Sequence, residues 1–211
     1  MSKKPVVTVI DYGIGNLLSV SRGLAQAGAE VIVTQSPLAV AHAEKLVVPG
    51  VGAFGDVMAE LRSHGFAEPV VEFAKSGKPL LGICVGMQML MEGSDEFDAG
   101  KGLGLIPGWV KSLPVTPGIK LPHIGWSAIR PREGATWADT PLQAVEPGGA
   151  FYFVHSFHPV PQDPADVWAI AEYASQPACV AVKRGNVMGT QFHPEKSGEA
   201  GLAMLAAFVS G

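Results

Sequence analysis

The sequence predicts an α/β fold. We expect a single domain, residues 1–211, whose central, mostly parallel sheet is covered by helices on both faces and is extended by antiparallel strands in the C-terminal half. In the first half, short apolar runs alternate with segments of helical periodicity, as in a sheet with helical crossovers. The second half contains short strands separated by turns. The 211 residues are 47% hydrophobic, which is enough for one sizeable core.

The elements of the first half follow from their apolar patterns. Residues 6–10 form a nearly continuous apolar run, which is typical of a strand buried on both faces. Apolar residues then recur at helical spacing from Leu17 to Ala27, and Gly28 ends this helix. A later helix is expected to bend or break near Pro69, because proline removes a backbone donor. In chain order, the sequence predicts strand 6–10, helix 17–27, strands 30–34 and 45–48, helix 56–75, strand 79–83 and helix 85–91.

The second half differs in character, because its strands are short and no long helix lies between them. Residues 184–186 form a short connection that suits a β-hairpin. A closing helix covers residues 199–209. The predicted strands are 109–111, 151–154, 167–173, 179–183 and 187–191.

Composition and charge exclude several classes of protein. The net charge is −4 and no run of Lys or Arg exceeds two residues, so we expect no nucleic-acid surface. The N-terminal apolar run, residues 6–10, is too short for a signal-peptide core or a membrane span. Two cysteines cannot build a disulfide framework, which favours a reducing compartment. The sequence therefore predicts a cytoplasmic protein without membrane association.

The most informative segment is Gly82-Ile83-Cys84-Val85-Gly86. It follows a buried strand and precedes a helix, with the G-x-nucleophile-x-G spacing of a nucleophile elbow. A thiol at a helix N-terminus is favoured as the thiolate by unpaired backbone N–H groups and the helix dipole. A buried core cysteine is the alternative, and Cys179 fits that description in an ordinary strand sequence. The glycines on both sides of Cys84 favour the nucleophile.

A candidate base and its partner lie far downstream, at His193-Pro194-Glu195. In an extended segment, residues two apart point to the same side. His193 can take the thiol proton and return it to a leaving amine, while Glu195 orients the imidazole. This short motif is weak evidence alone, but together with the elbow it predicts covalent acyl transfer.

A tetrahedral intermediate needs two donors for its oxyanion. One is expected from the backbone of Val85, directly after the nucleophile. The other is expected from the glycine-rich loop after the third strand, at Val51 and Gly52, where a plain turn is an equal alternative. Because glycines flank Val51, the peptide beside it can rotate, and this loop is a candidate switch for activity.

Two other kinds of site are discounted. His155 and His158 are three apart, but no cysteine or carboxylate lies at matching spacing, so we expect no metal. Gly13-Ile14-Gly15 is only a fragment of a dinucleotide-binding motif and lacks the acidic residue of the following strand. We therefore expect no cofactor.

Taken together, residues 82–88 and residues 191–195 resemble the class I (triad) glutamine amidotransferases. Further segments narrow the resemblance to the glutaminase subunits of imidazole glycerol phosphate synthases, and it covers nearly the whole chain. These segments are 11–17, 49–55, 101–105, 121–126, 152–156 and 193–197.

The resemblance implies a specific reaction and partner. Glutamine is hydrolysed to glutamate and ammonia through a thioester on Cys84, and the ammonia passes to a (β/α)₈-barrel cyclase subunit. The products there are imidazole glycerol phosphate and aminoimidazole carboxamide ribotide, in histidine biosynthesis, and the glutaminase is activated from the cyclase site. The substrate-binding residues implied are Gln88, Glu96, Gly52, Ser156 and Phe157. The residues implied at the cyclase interface are Asn16, Trp126, Tyr152 and Lys196.

The chain departs from the family pattern at two places. Ser127 stands where asparagine is usual, and Phe157-His158 replaces a pair that usually contains tyrosine. Three other functions stay open at this point. They are a glutaminase serving a different synthase, a cysteine hydrolase acting on γ-glutamyl peptides without a partner, and a non-catalytic module that kept the fold.

Overall fold

The structure is a computed structural model that describes residues 3–98, 100–114 and 120–211. Its helices are α1 Leu17–Gln26, α2 Pro37–Val40, α3 Phe54–Ser63, α4 Ala67–Lys75, α5 Val85–Gln88 and α6 Gly198–Ser210. Its strands are β1 Val6–Ile10, β2 Glu30–Thr34, β3 Leu46–Gly50, β4 Leu80–Cys84, β5 Met91–Ser94, β6 Gly100–Lys101, β7 Ile106–Ser112, β8 His123–Arg130, β9 Ala150–His155, β10 Phe157–Pro161, β11 Val167–Tyr173, β12 Gln176–Arg184 and β13 Val187–Thr190.

A nine-stranded mixed sheet organises the described residues, in the order β2-β1-β3-β4-β13-β12-β11-β8-β9. The strands from β2 to β13 pair in parallel, and the strands from β13 to β9 pair antiparallel. The predicted α/β fold, with antiparallel strands added by the C-terminal half, is therefore confirmed. Parallel strands end at the same edge, so the loops after β1, β3, β4 and β13 meet there, as ligand-binding loops of such sheets do.

The crossovers place helices on both faces of the sheet. The step from β1 to β2 and the step from β3 to β4 run in opposite directions along the sheet. Right-handed crossovers then put α1 on one face and α3 and α4 on the other. α6 packs against α1 and completes the first face. The buried apolar residues form one cluster that includes Tyr12, Phe54 and Phe192. Within the described residues, every helix lacks the length and apolar content needed to cross a bilayer.

The helix predicted over residues 56–75 is two helices, and the break is not at Pro69. α3 ends at Ser63, and the chain reverses through Gly65, whose φ of 72° suits glycine. The N–H groups of Gly65 and Phe66 donate to the carbonyls of Arg62 and Leu61 and close the helix end. Pro69 lies in the first turn of α4, where a missing N–H costs nothing. The expected break near Pro69 was therefore wrong.

The helix predicted over residues 85–91 ends at Gln88, so its length was also wrong. The carbonyls of Met89 and Leu90 instead accept from the N–H groups of Leu103 and Leu105. These long-range bonds compete with another helical turn, and the chain continues as β5. β5 belongs to a second sheet, in the order β10-β7-β5-β6, that sequence patterns did not predict.

β8 was also missed, although its burial alternates along most of its length. Gly125, with φ 146°, and a tryptophan that is 57% exposed interrupt the expected apolar pattern of a strand. β8 pairs with β9 from His123 opposite His155 to Ala128 opposite Ala150. This pairing brings His123 next to the cavity described below.

Candidate active site

Cys84 is the last residue of β4 and immediately precedes α5. Its backbone has φ 57° and ψ −116°, a strained conformation for a residue with a side chain. The turn is tightly packed: a Cβ on Gly82 would lie 2.6 Å from the carbonyl oxygen of Gly86. A Cβ on Gly86 would lie 1.9 Å from the carbonyl oxygen of Val48. Gly82 is therefore required for the elbow to fold back on itself, and Gly86 is required for the elbow to fit against β3.

A cavity of about 260 Å³ opens at the carboxyl edge of the parallel strands, and Cys84 is part of its wall. Cys84 itself is only 4% exposed, so the sulfur is accessible chiefly from this cavity. The other lining residues are Val51, Gly52, Val85, Gln88, Glu96, Pro122, Val154, His155, Ser156, Phe157, Gln191 and His193. Every residue expected from the sequence to form the oxyanion hole or bind substrate therefore lines one volume.

His193 and Glu195 form a buried hydrogen-bonded pair beside Cys84. Nδ1 of His193 lies 2.9 Å from Oε1 of Glu195. A carboxylate oxygen only accepts, so Nδ1 carries a proton, and Nε2 is the atom that takes up or releases the second one. Nε2 makes no hydrogen bond of normal geometry within the described residues. Burial opposes the charged imidazole, but the Cys84 sulfur and the Glu195 carboxylate raise the pKa of His193 to about 9.

The loop after β3 carries Val51 and Gly52, the residues expected to supply an oxyanion donor. Gly50 pairs with Cys84 across the parallel strands, which brings Val51 and Gly52 to the cavity. Gly52 has φ 115°, a conformation that favours glycine. The hydroxyl of the buried Tyr12 donates to the carbonyl of Pro49 and anchors the start of this loop. Burial raises the pKa of Tyr12, so its hydroxyl keeps the proton that it donates.

The residues expected to hold the substrate are positioned by other backbone groups. Oε2 of Glu96 accepts from the N–H of Phe54, 2.8 Å away, at the start of α3. A carboxylate is favoured at a helix N-terminus. Nε2 of Gln88 donates to the carbonyl of Phe157 at 3.3 Å. The carbonyl of Ser156 accepts from the N–H of Leu113 at 2.8 Å, which ties this segment to the end of β7.

A second chain of polar side chains runs from the cavity to β8. Nδ1 of His155 lies 2.8 Å from the carbonyl oxygen of Phe157, which only accepts. The proton of His155 is therefore on Nδ1, and Nε2 accepts from Nδ1 of His123, 3.2 Å away. Nε2 of His123 then accepts from the Ser127 hydroxyl at 3.0 Å. Burial lowers the pKa of His155 to about 3 and also lowers the pKa of His123, so both rings are neutral.

Three of the four residues expected at a partner interface are neighbours. Trp126, which is 57% exposed, meets the edge of the Tyr152 ring, with centroids 6.1 Å apart. Nζ of Lys196 lies 5.9 Å from the centroid of the same ring. The Tyr152 ring lies 6.5 Å from the His193 ring, so this group borders the site. Asn16 is on a different loop at the same sheet edge, where its side chain caps α1.

Sequence patterns gave no role in the cavity to two of its buried polar residues, Gln191 and His155. Gln191 precedes His193 by two positions, and this extended spacing could have placed both on one face. His155 belongs to the resemblance segment 152–156, but the only role that its spacing suggested was that of a metal ligand. In the ranges that the structure describes, no group of three His, Cys, Asp or Glu residues is close enough to hold a metal ion.

Comparison with known proteins identifies similar sequences along the whole chain. A family model described as "Glutamine amidotransferase class-I" matches residues 8–210. The "Imidazole glycerol phosphate synthase subunit HisH 1" of Legionella pneumophila (strain Lens) is 44% identical over 209 residues, covering 96% of this chain and 98% of the relative. The subunit HisH of Syntrophotalea carbinolica is 45% identical over 208 residues, with the same coverage of both chains. The subunit HisH of Synechococcus elongatus is 42% identical over 211 residues, covering 100% of this chain and 95% of the relative.

Solved structures share the fold at lower identity. The structure described as "Structure of PurLQS from Thermotoga maritima" superposes with a TM-score of 0.73 and 22% identity, covering 99% of both chains. Another, described as "Crystal structure of glutamine amidotransferase", gives a TM-score of 0.66 at 20% identity, covering 94% of this chain and 98% of the other. At these identities, the similarity concerns the fold alone.

Proposed function

The chain belongs to the class I glutamine amidotransferases, and within them to the HisH subunits of imidazole glycerol phosphate synthase. On this premise we propose that the protein uses Cys84 as the nucleophile to hydrolyse glutamine to glutamate and ammonia for histidine biosynthesis. The observation that carries the proposal is one cavity lined by Cys84, Val85 and His193. A nucleophile, its base and a backbone donor therefore face the same small volume.

The first half of the reaction forms a thioester. Nε2 of His193 takes the Cys84 thiol proton, and the sulfur attacks the carboxamide carbon of glutamine. The carbonyl oxygen becomes an oxyanion held by the N–H of Val85 and a donor from the Val51–Gly52 loop. The imidazolium returns its proton to the leaving nitrogen as the C–N bond breaks, which releases ammonia. Glu195 keeps Nδ1 protonated throughout and stabilises the charged ring.

The second half hydrolyses the thioester. A water molecule loses a proton to Nε2 of His193 and attacks the thioester carbon. The same donors hold the second oxyanion. The C–S bond breaks, the proton returns to the Cys84 sulfur, and glutamate leaves. At the other end of the substrate, Glu96 and Oε1 of Gln88 accept from the α-ammonium group, with Ser156 and Phe157 assisting.

The HisH family relationship implies a partner cyclase subunit in a complex. We propose that this partner is a (β/α)₈ barrel and that it covers Asn16, Trp126, Tyr152 and Lys196. An exposed tryptophan beside a tyrosine is typical of an interface anchor, which supports this assignment. Placing the interface around the cavity would keep ammonia from escaping into water. We also propose that the complex works in the cytoplasm, where Cys84 and Cys179 stay reduced.

Replacing the nucleophile tests the function. Cys84→Ala should abolish glutamine-dependent synthesis in the complex with its cyclase, while synthesis from added ammonium continues. Cys179→Ala is the matched control, because burial raises the pKa of the Cys179 thiol to about 12 and keeps it protonated. A glutamine-analogue electrophile should modify Cys84 alone, as measured by peptide mass spectrometry. Retained glutamine hydrolysis in Cys84→Ala would refute the assignment.

A further inference from the structure

Gln191 is a buried residue of the cavity that the mechanism above does not use. It follows β13 directly and is completely buried. Nε2 of its side chain donates to Sγ of Cys84, 3.7 Å away. Its Oε1 accepts from Nε2 of Gln88 at 3.0 Å. Its backbone N–H donates to the carbonyl of Val180 at 2.8 Å, which fixes the residue to β12.

The orientation of both amides follows from one backbone carbonyl. The carbonyl oxygen of Phe157 can only accept, so the atom of Gln88 that faces it must be Nε2. The same Nε2 faces Gln191, which therefore presents Oε1 to it. Nε2 of Gln191 is then the atom that faces Cys84. Reversing either amide would place two donors or two acceptors against each other.

The Gln191 amide therefore presents a donor to the sulfur and gives it no acceptor. A thiol proton has no acceptor in this amide, whereas a thiolate gains a charge-assisted hydrogen bond. Hydrogen bonding to the charged form of a group favours that form. The same side chain restrains Gln88, which lies four residues after Cys84 on the cavity wall. One amide thus contacts both the reacting atom and a group proposed to bind substrate.

We propose that Gln191 stabilises the thiolate of Cys84 and holds Gln88 in position for the substrate. The inference rests on the proposed role of Cys84 as the nucleophile and extends it to a residue with two separable tasks. The donor Nε2 serves the chemical step, and the acceptor Oε1 serves substrate binding.

Other titratable groups also act on the sulfur and must stay unchanged in a test. His193 and, behind it, Glu195 lie on the segment after β13. Tyr12, in the loop after β1, interacts electrostatically with Cys84. Glu96 and His155 line the same cavity from the other side. Variants at Gln191 leave all five in place; Gln191→Glu adds a carboxylate that itself repels the thiolate, and Gln191→Met adds no charge.

Two variants separate the two tasks. Gln191→Glu keeps an oxygen for Gln88 but, when ionised, offers the sulfur no donor. Gln191→Met has a similar length and removes both hydrogen bonds. Thr190→Val is the matched control, because Thr190 is equally buried, is adjacent, and uses its hydroxyl only for the carbonyl of Phe192.

The first measurement is the rate of Cys84 alkylation by iodoacetamide as a function of pH, with the adduct located by mass spectrometry. Losing a hydrogen bond to a charged group should slow alkylation near neutral pH about tenfold or more in both Gln191 variants. Thr190→Val should react like the wild type. In glutamine hydrolysis, Gln191→Glu should lower kcat with KM within about twofold of wild type, whereas Gln191→Met should also raise KM.

A second measurement needs no altered residue at position 191. In the intact chain with ¹⁵N-labelled glutamine side chains, the Gln191 amide resonance should shift with the pH midpoint of Cys84 alkylation. The resonance should not titrate at that pH in Cys84→Ser.

The outcomes distinguish the two proposals. If wild-type Cys84 does not react with a glutamine-analogue electrophile, the proposed function fails. If it reacts, but the Gln191 variants alkylate with the wild-type pH profile or the amide resonance is insensitive to Cys84, only the Gln191 inference is overturned. An equal slowing in Thr190→Val would show an effect of packing and would also overturn it.

Discussion

Cys84 shows how the immediate surroundings of one residue create its chemistry. Its positive φ stores strain of roughly 1–3 kcal/mol, which the packed structure around it must sustain. Gly82 and Gly86 allow that packing, because neither tolerates a Cβ. The strained turn brings the sulfur to the wall of the cavity, which His193 also lines.

The proposed nucleophile, base and orienting carboxylate could be predicted from sequence because their motifs are local. The elbow spans five residues, and His193 and Glu195 are two apart. The contacts of Gln191 and His155 in the cavity could not be predicted in the same way, because they depend on partners that are distant in sequence. The bond from Gln191 to Cys84 joins residues 107 positions apart. His155 meets His123 through a strand that was itself missed.

His193 and Glu195 should differ in how much their replacement costs. His193→Ala removes the base that acts in the transition state and should lower kcat by roughly 10² to 10⁴. Glu195→Gln should cost less, because an amide still offers Nδ1 an oxygen to bond. Steady-state glutamine hydrolysis measures both. The assignment fails if Glu195→Gln is the more damaging change.

His155 should make the fold sensitive to acid. Its pKa is about 3 in the folded chain and near 6.5 when unfolded. Below pH 6.5 the unfolded chain therefore binds a proton that the folded chain refuses, so stability falls as the pH drops towards 3. His155→Gln removes this titration and retains a donor for the Phe157 carbonyl.

The measurement is the free energy of unfolding from urea titrations between pH 7 and about 4. The wild type should lose more stability over this range than His155→Gln. Parallel curves for the two proteins would contradict the buried, neutral state of His155.

At the scale of elements, the strands and helices of the first half were predictable because their periodicity is regular. Long-range hydrogen bonds decided the exceptions. The carbonyls of Met89 and Leu90 pair with residues 103–106 instead of extending α5. The break after α3 depends on Gly65, which ends the helix. Gly65 is a local signal in the sequence, but Pro69 is the stronger helix breaker and predicted the wrong position.

The loop after β3 offers a test of the proposed oxyanion hole. Gly50 is a poor probe, because a Cβ there would lie 2.7 Å from the backbone nitrogen of Gly86 and would disturb the elbow. At Gly52 the nearest contact of a Cβ is 3.7 Å, from Val57, so substitution strains the backbone without a collision. Gly52→Ala should reorient the donor and lower kcat by about 10² to 10³.

Gly28→Ala is the control for backbone strain. Gly28 has φ 101° and nothing within 4 Å of a built Cβ, and it follows α1 at the opposite end of β1 and β2. Both variants should lose similar stability, but Gly28→Ala should keep its kcat. Equal kcat values in the two variants would show that this loop does not supply a donor to the oxyanion.

At the scale of the whole molecule, the sheet gathers the site from segments spread over most of the sequence. The loops after β1, β3, β4 and β13 meet at one edge, and the pair β8–β9 borders it. The sequence predicted that parallel strands would do this. It could not predict the second sheet, whose short strands pair through contacts between distant segments.

The face formed by Trp126, Tyr152 and Lys196 should determine association with the cyclase. Trp126→Ala removes a large exposed ring and should weaken the complex roughly tenfold or more in Kd. Lys196→Glu should weaken association or reduce the stimulation of glutamine hydrolysis by cyclase ligands.

Calorimetric titration measures Kd, and glutaminase assays with and without cyclase ligand measure the coupling. Leu38→Ala is the control, because Leu38 is 83% exposed on α2 and lies outside the Trp126 group. Wild-type affinity and coupling in both Trp126→Ala and Lys196→Glu would place the interface elsewhere.

The position of β13 has a consequence for synthesis on the ribosome. β13 is the final strand of the chain, yet it lies between β4 and β12 in the sheet. Until residues 187–190 emerge, one side of β4 has no partner, and its unpaired N–H and C=O groups can template contacts with other nascent chains. A chain that stalls before Val187 therefore has Cys84, the proposed nucleophile, without His193, its proposed base, and with an unpaired strand edge beside it.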